Sequence, residues 1–113
     1  MNHYETLFPD NKMPSDWYGL LILPVPKMVT TFDKDGELFG LIVISKHEDD
    51  TWIINSIAKD DARYTFAMQR TIIEFTKSHD KVIVMSTLEN SCIQRFTDRF
   101  IDNGEQSCFA KGV

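Results

Sequence analysis

Hydrophobic and polar positions divide the chain into several short runs of strand character and one long stretch of helical period. Met28 to Phe32 alternates weakly and is rich in Val and Thr, which suits a strand. Asp33-Lys34-Asp35-Gly36 predicts a hairpin turn in which glycine supplies a positive φ. Glu37 to Ser45 is the most apolar run and predicts a strand covered on both faces. His47-Glu48-Asp49-Asp50 turns the chain again, and Trp52 to Ala58 predicts the third strand of a meander.

The period then changes. Ala62, Phe66, Met68, Ile72, Ile73 and Phe75 recur at helical steps and predict one broad apolar face, with Arg63, Arg70 and Lys77 on the wet side. Asp60 or Asp61 is placed to cap the helix start, and Ser78-His79-Asp80 closes the helix. Lys81 to Ser86 predicts a buried strand, parallel to its predecessor because a helix crosses over between them. Asn90 or Ser91 then caps a second helix, with Cys92, Ile93, Phe96 and Phe100 inward and Asn103-Gly104 as its C-cap. Gln106 to Ala110 predicts a final strand.

Upstream, Pro9, Pro14 and several turn formers make residues 1–18 irregular, with one short helical turn at most. Leu20 to Leu23 reads as a short apolar strand, and Pro24 and Pro26 hold the following segment extended at a sheet edge. The expected fold class is α/β (α+β). It has a mostly antiparallel meander, one parallel strand pair, and two main helices packed on the sheet.

Composition narrows the class. A chain of 113 residues, 42% hydrophobic and 26% charged, supports one domain and one core. Residues 1–27 form the irregular N-terminal segment of that domain and residues 28–109 its core. No apolar run approaches the roughly 20 residues that span a bilayer. Met1 to Pro9 has neither the basic start nor the apolar stretch of a signal peptide. Cys92 and Cys108 lack metal or redox spacing and read as free thiols of a reducing compartment. A net charge of −5 without a cluster of Lys and Arg argues against nucleic acid as a partner. The acidic groups Glu48-Asp49-Asp50 and Asp60-Asp61 read as a solvated turn and a helix start.

The element order resembles the GNAT family of N-acetyltransferases. The family carries an antiparallel meander with a D-G-x-x-x-G pattern, and Asp35-Gly36-Glu37-Leu38-Phe39-Gly40 matches it. Asn55 to Arg63 resembles the stretch where the family leaves its central strand for the cofactor helix. Thr87-Leu88-Glu89-Asn90 resembles its turn before the last helix. The narrower similarity is to the small acetyltransferase-like internal virion proteins of tailed bacteriophages. It implies a protein of the host cytoplasm or the virion interior.

The departures from that pattern bear on activity. The resemblance implies a Q/R-x-x-G-x-G/A run whose bare backbone N–H groups grip the coenzyme A pyrophosphate. Here the run is Arg63-Tyr64-Thr65-Phe66-Ala67-Met68, so Phe66 and Met68 stand at the glycine positions. A phenylalanine there either fills the pyrophosphate space or turns inward, and Asp60 and Asp61 add repulsion. The family's tyrosine acid has no counterpart: Phe100 and Thr97 occupy the corresponding spacings. Its carboxylate base is replaced by Asn55 and Ser56.

No residue is therefore assigned a catalytic role, and His3, His47 and His79 have no metal-site spacing. Cys92 reads as core in preference to nucleophile, and Phe96 and Phe100 as core. Trp17-Tyr18 suits either an exposed partner-binding pair or a cover over the sheet. Arg63, Arg70 and Lys77 suit a solvated face in preference to an anion stripe.

Three functional classes remain. The first is a catalytically degenerate acetyltransferase-like protein that binds a protein partner of phage or host and uses no cofactor. The second is an active acetyl-CoA-dependent transferase, in which Ser56, Ile57, Ala58, Arg63 and Asn90 would hold the cofactor. The third is a structural adaptor, a homodimer for instance, that self-associates through an exposed sheet edge.

Overall fold

The computed structural model of the chain describes residues 18–22, 24–59, 65–86, 93–102 and 107–113. The fold is α+β, a mixed sheet with one main helix. In chain order the elements are α1 (Tyr18–Leu21), β1 (Lys27–Lys34), β2 (Glu37–Lys46), β3 (Trp52–Ala58), α2 (Thr65–Ser78), β4 (Val82–Ser86), β5 (Arg99–Asp102) and β6 (Ser107–Lys111). Single 3₁₀ turns at Glu48–Asp50 and Ile93–Phe96 complete the set. The sheet order is β1-β2-β3-β4-β6-β5.

The hairpin between β1 and β2 forms where the sequence places it. Lys34 pairs with Glu37, and the two residues between them, Asp35 and Gly36, have φ of 52° and 79°. Two left-handed residues give a turn whose twist matches that of the strands it joins. One irregularity follows: Phe32 pairs with Gly40 and Asp33 with Leu38, so Phe39 is an extra residue in β2.

β2 is buried along eight consecutive positions, from Leu38 to Ser45. It lies between β1 and β3 with both faces covered, as its unbroken apolar run requires. Phe39, Ile42 and Ile44 join Ile54, Val82, Val84 and Phe109 of the neighbouring strands in the core, and Met68 and Ile72 reach it from α2. Each fully buried side chain of this size contributes roughly 1.5–3 kcal/mol. Leu41 and Val43, at alternate positions, are buried on the opposite face.

β3 and β4 are parallel, from Trp52 opposite Val82 to Ser56 opposite Ser86, with α2 crossing between them. The C-terminus of α2 is tied down on both sides. Phe75 stacks on His79 at 3.8 Å and meets the Trp52 ring edge-on at 5.2 Å. From β6, the Lys111 ammonium donates to the Thr76 carbonyl in the last turn of α2 and to the His79 carbonyl just beyond it, both at 2.8 Å.

Three expectations fail. In the run Leu20 to Leu23, the described residues form no strand: Leu21 ends the single helical turn α1 and is fully buried, while Ile22 is exposed. A four-residue apolar run carries too little period to separate the two. No second main helix forms among the described residues. Ile93–Phe96 makes only one 3₁₀ turn, and Arg99–Asp102 is a strand. Sheet pairing overrides the helical spacing, because Asp98 N–H donates to Ala110 C=O at 2.6 Å and Phe100 then pairs with Phe109. The Asp98 carboxylate accepts from Gly112 N–H at 2.7 Å and holds the two segments in line.

Finally, Phe66 does not join the core; it is 69% exposed. The expected caps at Asp60, Asp61, Asn90 and Ser91, the Asn103-Gly104 stop, and Trp17 with residues 1–16 lie outside the described residues.

Candidate functional site

Two places bring together chemistry that the core does not require. The first is the end of β3. The described ladder with β4 reaches Ser56 opposite Ser86, and β3 continues through Ile57 to Ala58, held by β2 through the Gly40–Ala58 pair. Lys59 N–H extends this hold by donating to Phe39 C=O at 2.9 Å. This is the carboxyl end of β3, from which the chain crosses over to α2. Ligands of open α/β sheets bind outside such carboxyl ends.

Ser56 is fully buried at this point, and its hydroxyl has no hydrogen-bond partner among the described residues. A buried unpaired hydroxyl is uncommon and costs about 1–3 kcal/mol. Ile57 and Ala58 are half-buried beside it. Arg63 and Asn90, the other residues the cofactor reading names, lie outside the described residues. Of the two residues at the glycine positions, Met68 turns inward, fully buried against Gly40, and Phe66 turns outward.

The second place is a groove of about 350 Å³ between α2 and the 3₁₀ turn at Ile93–Phe96. Among the described residues, Phe66, Ile73 and Phe96 make its apolar lining, and Arg70, Lys77 and Arg95 supply cations against the carboxylate of Glu74. The helical members recur at three- and four-residue steps, so they form one stripe along α2. The Arg70 guanidinium lies 5.9 Å from the Phe66 ring, and the Lys77 ammonium lies 5.7 Å from the Phe96 ring. Each is a cation–π pair open to solvent.

These contacts correct one sequence reading and add to another. Phe96 is a half-buried groove residue and not core. Arg70 and Lys77 are on a solvent-exposed face, as their spacing indicates, and each also lies beside an aromatic ring. The legible signal was Phe66, Arg70, Ile73 and Lys77 at helical steps. What hid the groove was the expected second helix, which would have carried Phe96 inward.

His47 and His79 hold structural positions. His47 shares a hydrogen bond with Ser45 Oγ at 2.9 Å, and His79 Nδ1 meets the Phe75 carbonyl at 2.9 Å. Among the described residues no group of His, Cys, Asp and Glu is arranged to hold a metal ion. No helix among them is long and apolar enough to cross a membrane. No protein-family model matches the chain, and no curated protein matches it in sequence.

Proposed function

We propose that this chain is an acetyltransferase-like domain without catalysis, which acts by binding another protein, a virion component or host factor of a phage. The groove on α2 carries the proposal. The exposed Phe66 ring with Arg70 beside it, and the half-buried Phe96 with Lys77 beside it, supply flat apolar area and charge-assisted donors, and Phe and Arg are among the side-chain types enriched at protein interfaces. The partner chemistry that fits is an acidic segment with an aromatic or aliphatic anchor. Charge supports this choice, since three cations gather here on a chain of net charge −5.

The antiparallel meander, followed by a helix and a parallel strand, supports the family resemblance. Phenylalanine and methionine in place of glycines support the loss of catalysis. A bare backbone cradle is hard to build with side chains of that size.

One observation favours a second reading. The buried Ser56 hydroxyl near the carboxyl end of β3, without a hydrogen-bond partner among the described residues, is the kind of donor that a pantetheine amide or a thioester carbonyl would satisfy. An active acetyl-CoA-dependent transferase would use it.

The two readings separate in a melting experiment. Acetyl-CoA at saturating concentration leaves the melting temperature unchanged if the domain is a binder, and raises it if the cofactor site is intact. The binder reading further expects a phage or host protein to co-purify from infected cells with the native chain. Phe66→Ala and Arg70→Glu should lose that partner while keeping the native melting temperature. Retention of the partner by both variants would remove the groove from consideration.

A further inference from the structure

We propose that β1 is the pairing strand of a two-fold homodimer, in which two copies join their sheets antiparallel with Thr30 opposite its own counterpart. β1 ends the sheet order, and six of its eight residues are exposed, with only Lys27 and Phe32 half-buried. Phe32 packs against the core, and most of the rest of the strand is exposed, in contrast to β2 beside it.

Its interior has no device against pairing. Solitary edge strands are usually blunted by inward charges, proline or a bulge. Met28-Val29-Thr30-Thr31-Phe32 has neither charge nor proline, and Met28 and Val29 are 48% and 36% exposed. The bulge of this hairpin lies in β2, at Phe39, so β1 itself stays regular.

The flanking charges select the partner and the register. Lys27 stands three positions before Thr30 and Asp33 three after it. Antiparallel pairing about Thr30 sets Lys27 of each copy opposite Asp33 of the other, Met28 opposite Phe32, and Val29 opposite Thr31. Opposite charges directly across a ladder stabilise it, and like charges oppose it. Moving the axis to lie between Thr30 and Thr31 sets Lys27 against Lys34, and a parallel arrangement sets Lys27 beside Lys27. Only the first of these registers is complementary, and it is the isologous contact that closes a dimer. The groove on α2 plays no part in it.

Sedimentation or light scattering of the full chain at micromolar concentration tests the pairing. The native chain runs as a dimer. Asp33→Lys shifts it to monomer, and Lys27→Asp combined with Asp33→Lys restores the dimer with charges exchanged. Should a charge variant not fold, cross-linking decides. Across the ladder the Thr30 Cα atoms stand roughly 4.5–5.5 Å apart, within disulfide range. Thr30→Cys then links two chains on oxidation more readily than the native cysteines alone, and Thr31→Cys, offset along the strand, does not. The proposal is overturned by a native monomer at every concentration, by a dimer indifferent to both Asp33→Lys and Thr30→Cys, or by another segment of this chain or a different protein found paired with β1.

Discussion

The thioether of Met68 occupies the space where a side chain at Gly40 would begin. A Cβ built at Gly40 meets Met68 Sδ at less than van der Waals separation and Met68 Cε at 2.9 Å. Met68 is fully buried, so α2 approaches β2 this closely only because position 40 is glycine. The glycine of the D-G-x-x-x-G pattern thus has a packing reason that makes no reference to a cofactor.

Gly40→Val is expected to destabilise the fold by about 1–3 kcal/mol through overpacking. Gly40→Ala should cost less, because the end of a methionine side chain is flexible enough to swing away. Combining Gly40→Val with Met68→Ala should recover part of the loss, and urea unfolding of the four species measures that coupling. Strictly additive effects would mean the two residues do not share the space.

Phe66 and Met68 lie two residues apart on α2 and should respond in opposite ways. Met68→Ala empties a core position and should cost about 2–5 kcal/mol. Phe66→Ala removes an exposed ring and should stay within about 0.5 kcal/mol of the native protein. Thermal melts of both variants suffice, and an equal loss would place Phe66 in the core after all.

Lys111 reaches from β6 to the end of α2 and answers the Thr76 carbonyl in its last turn and the His79 carbonyl just beyond it. Lys111→Met keeps most of the apolar stem and deletes the donors, so the expected cost is about 1–2 kcal/mol. Hydrogen exchange should report it as faster opening of the end of α2. Unchanged exchange there would show that water serves those carbonyls equally well.

Ser56→Ala removes a buried hydroxyl that has no partner among the described residues. The variant should be as stable as the native protein or more so, by up to about 1 kcal/mol. If acetyl-CoA proves to bind, the same substitution should weaken that binding, which calorimetry would read directly. A destabilised variant would mean the hydroxyl has a partner in the folded protein.

Gly112 has φ of +69°, and a Cβ there would press on the Asp80 carbonyl oxygen. Gly112→Ala therefore meets both left-handed strain and a backbone collision, and should destabilise by about 1–3 kcal/mol. Because Gly112 N–H also donates to Asp98, the variant should loosen the pairing of β5 with β6 before the rest of the sheet. Exchange rates of the β5 amides check this.

The candidate site was partly legible. The change of period shows a strand-to-helix junction after Ala58, and it is the family resemblance that assigns Ser56, Ile57 and Ala58 to a cofactor there. The groove was not legible, although Arg70 and Phe66 were both noted. Its floor needs Phe96, and the spacing of Cys92, Ile93, Phe96 and Phe100 fits a helix as well as it fits the turn and strand that form.

The amino-acid order by itself determined the local elements whose signal is strong within a few residues. The Asp35-Gly36 turn, the doubly covered β2, the bounds of β3 and the parallel return at β4 all follow from period, turn chemistry and the need for a crossover. Tertiary structure decided what depends on partners distant in the chain. Arg99–Asp102 becomes a strand because Ser107–Lys111 offers it a ladder, and Phe66 stays outside because Met68, about 200° around the helix from it, is the side chain that packs on Gly40. A residue's period shows which side it prefers, but only the neighbouring surface determines whether there is room for it.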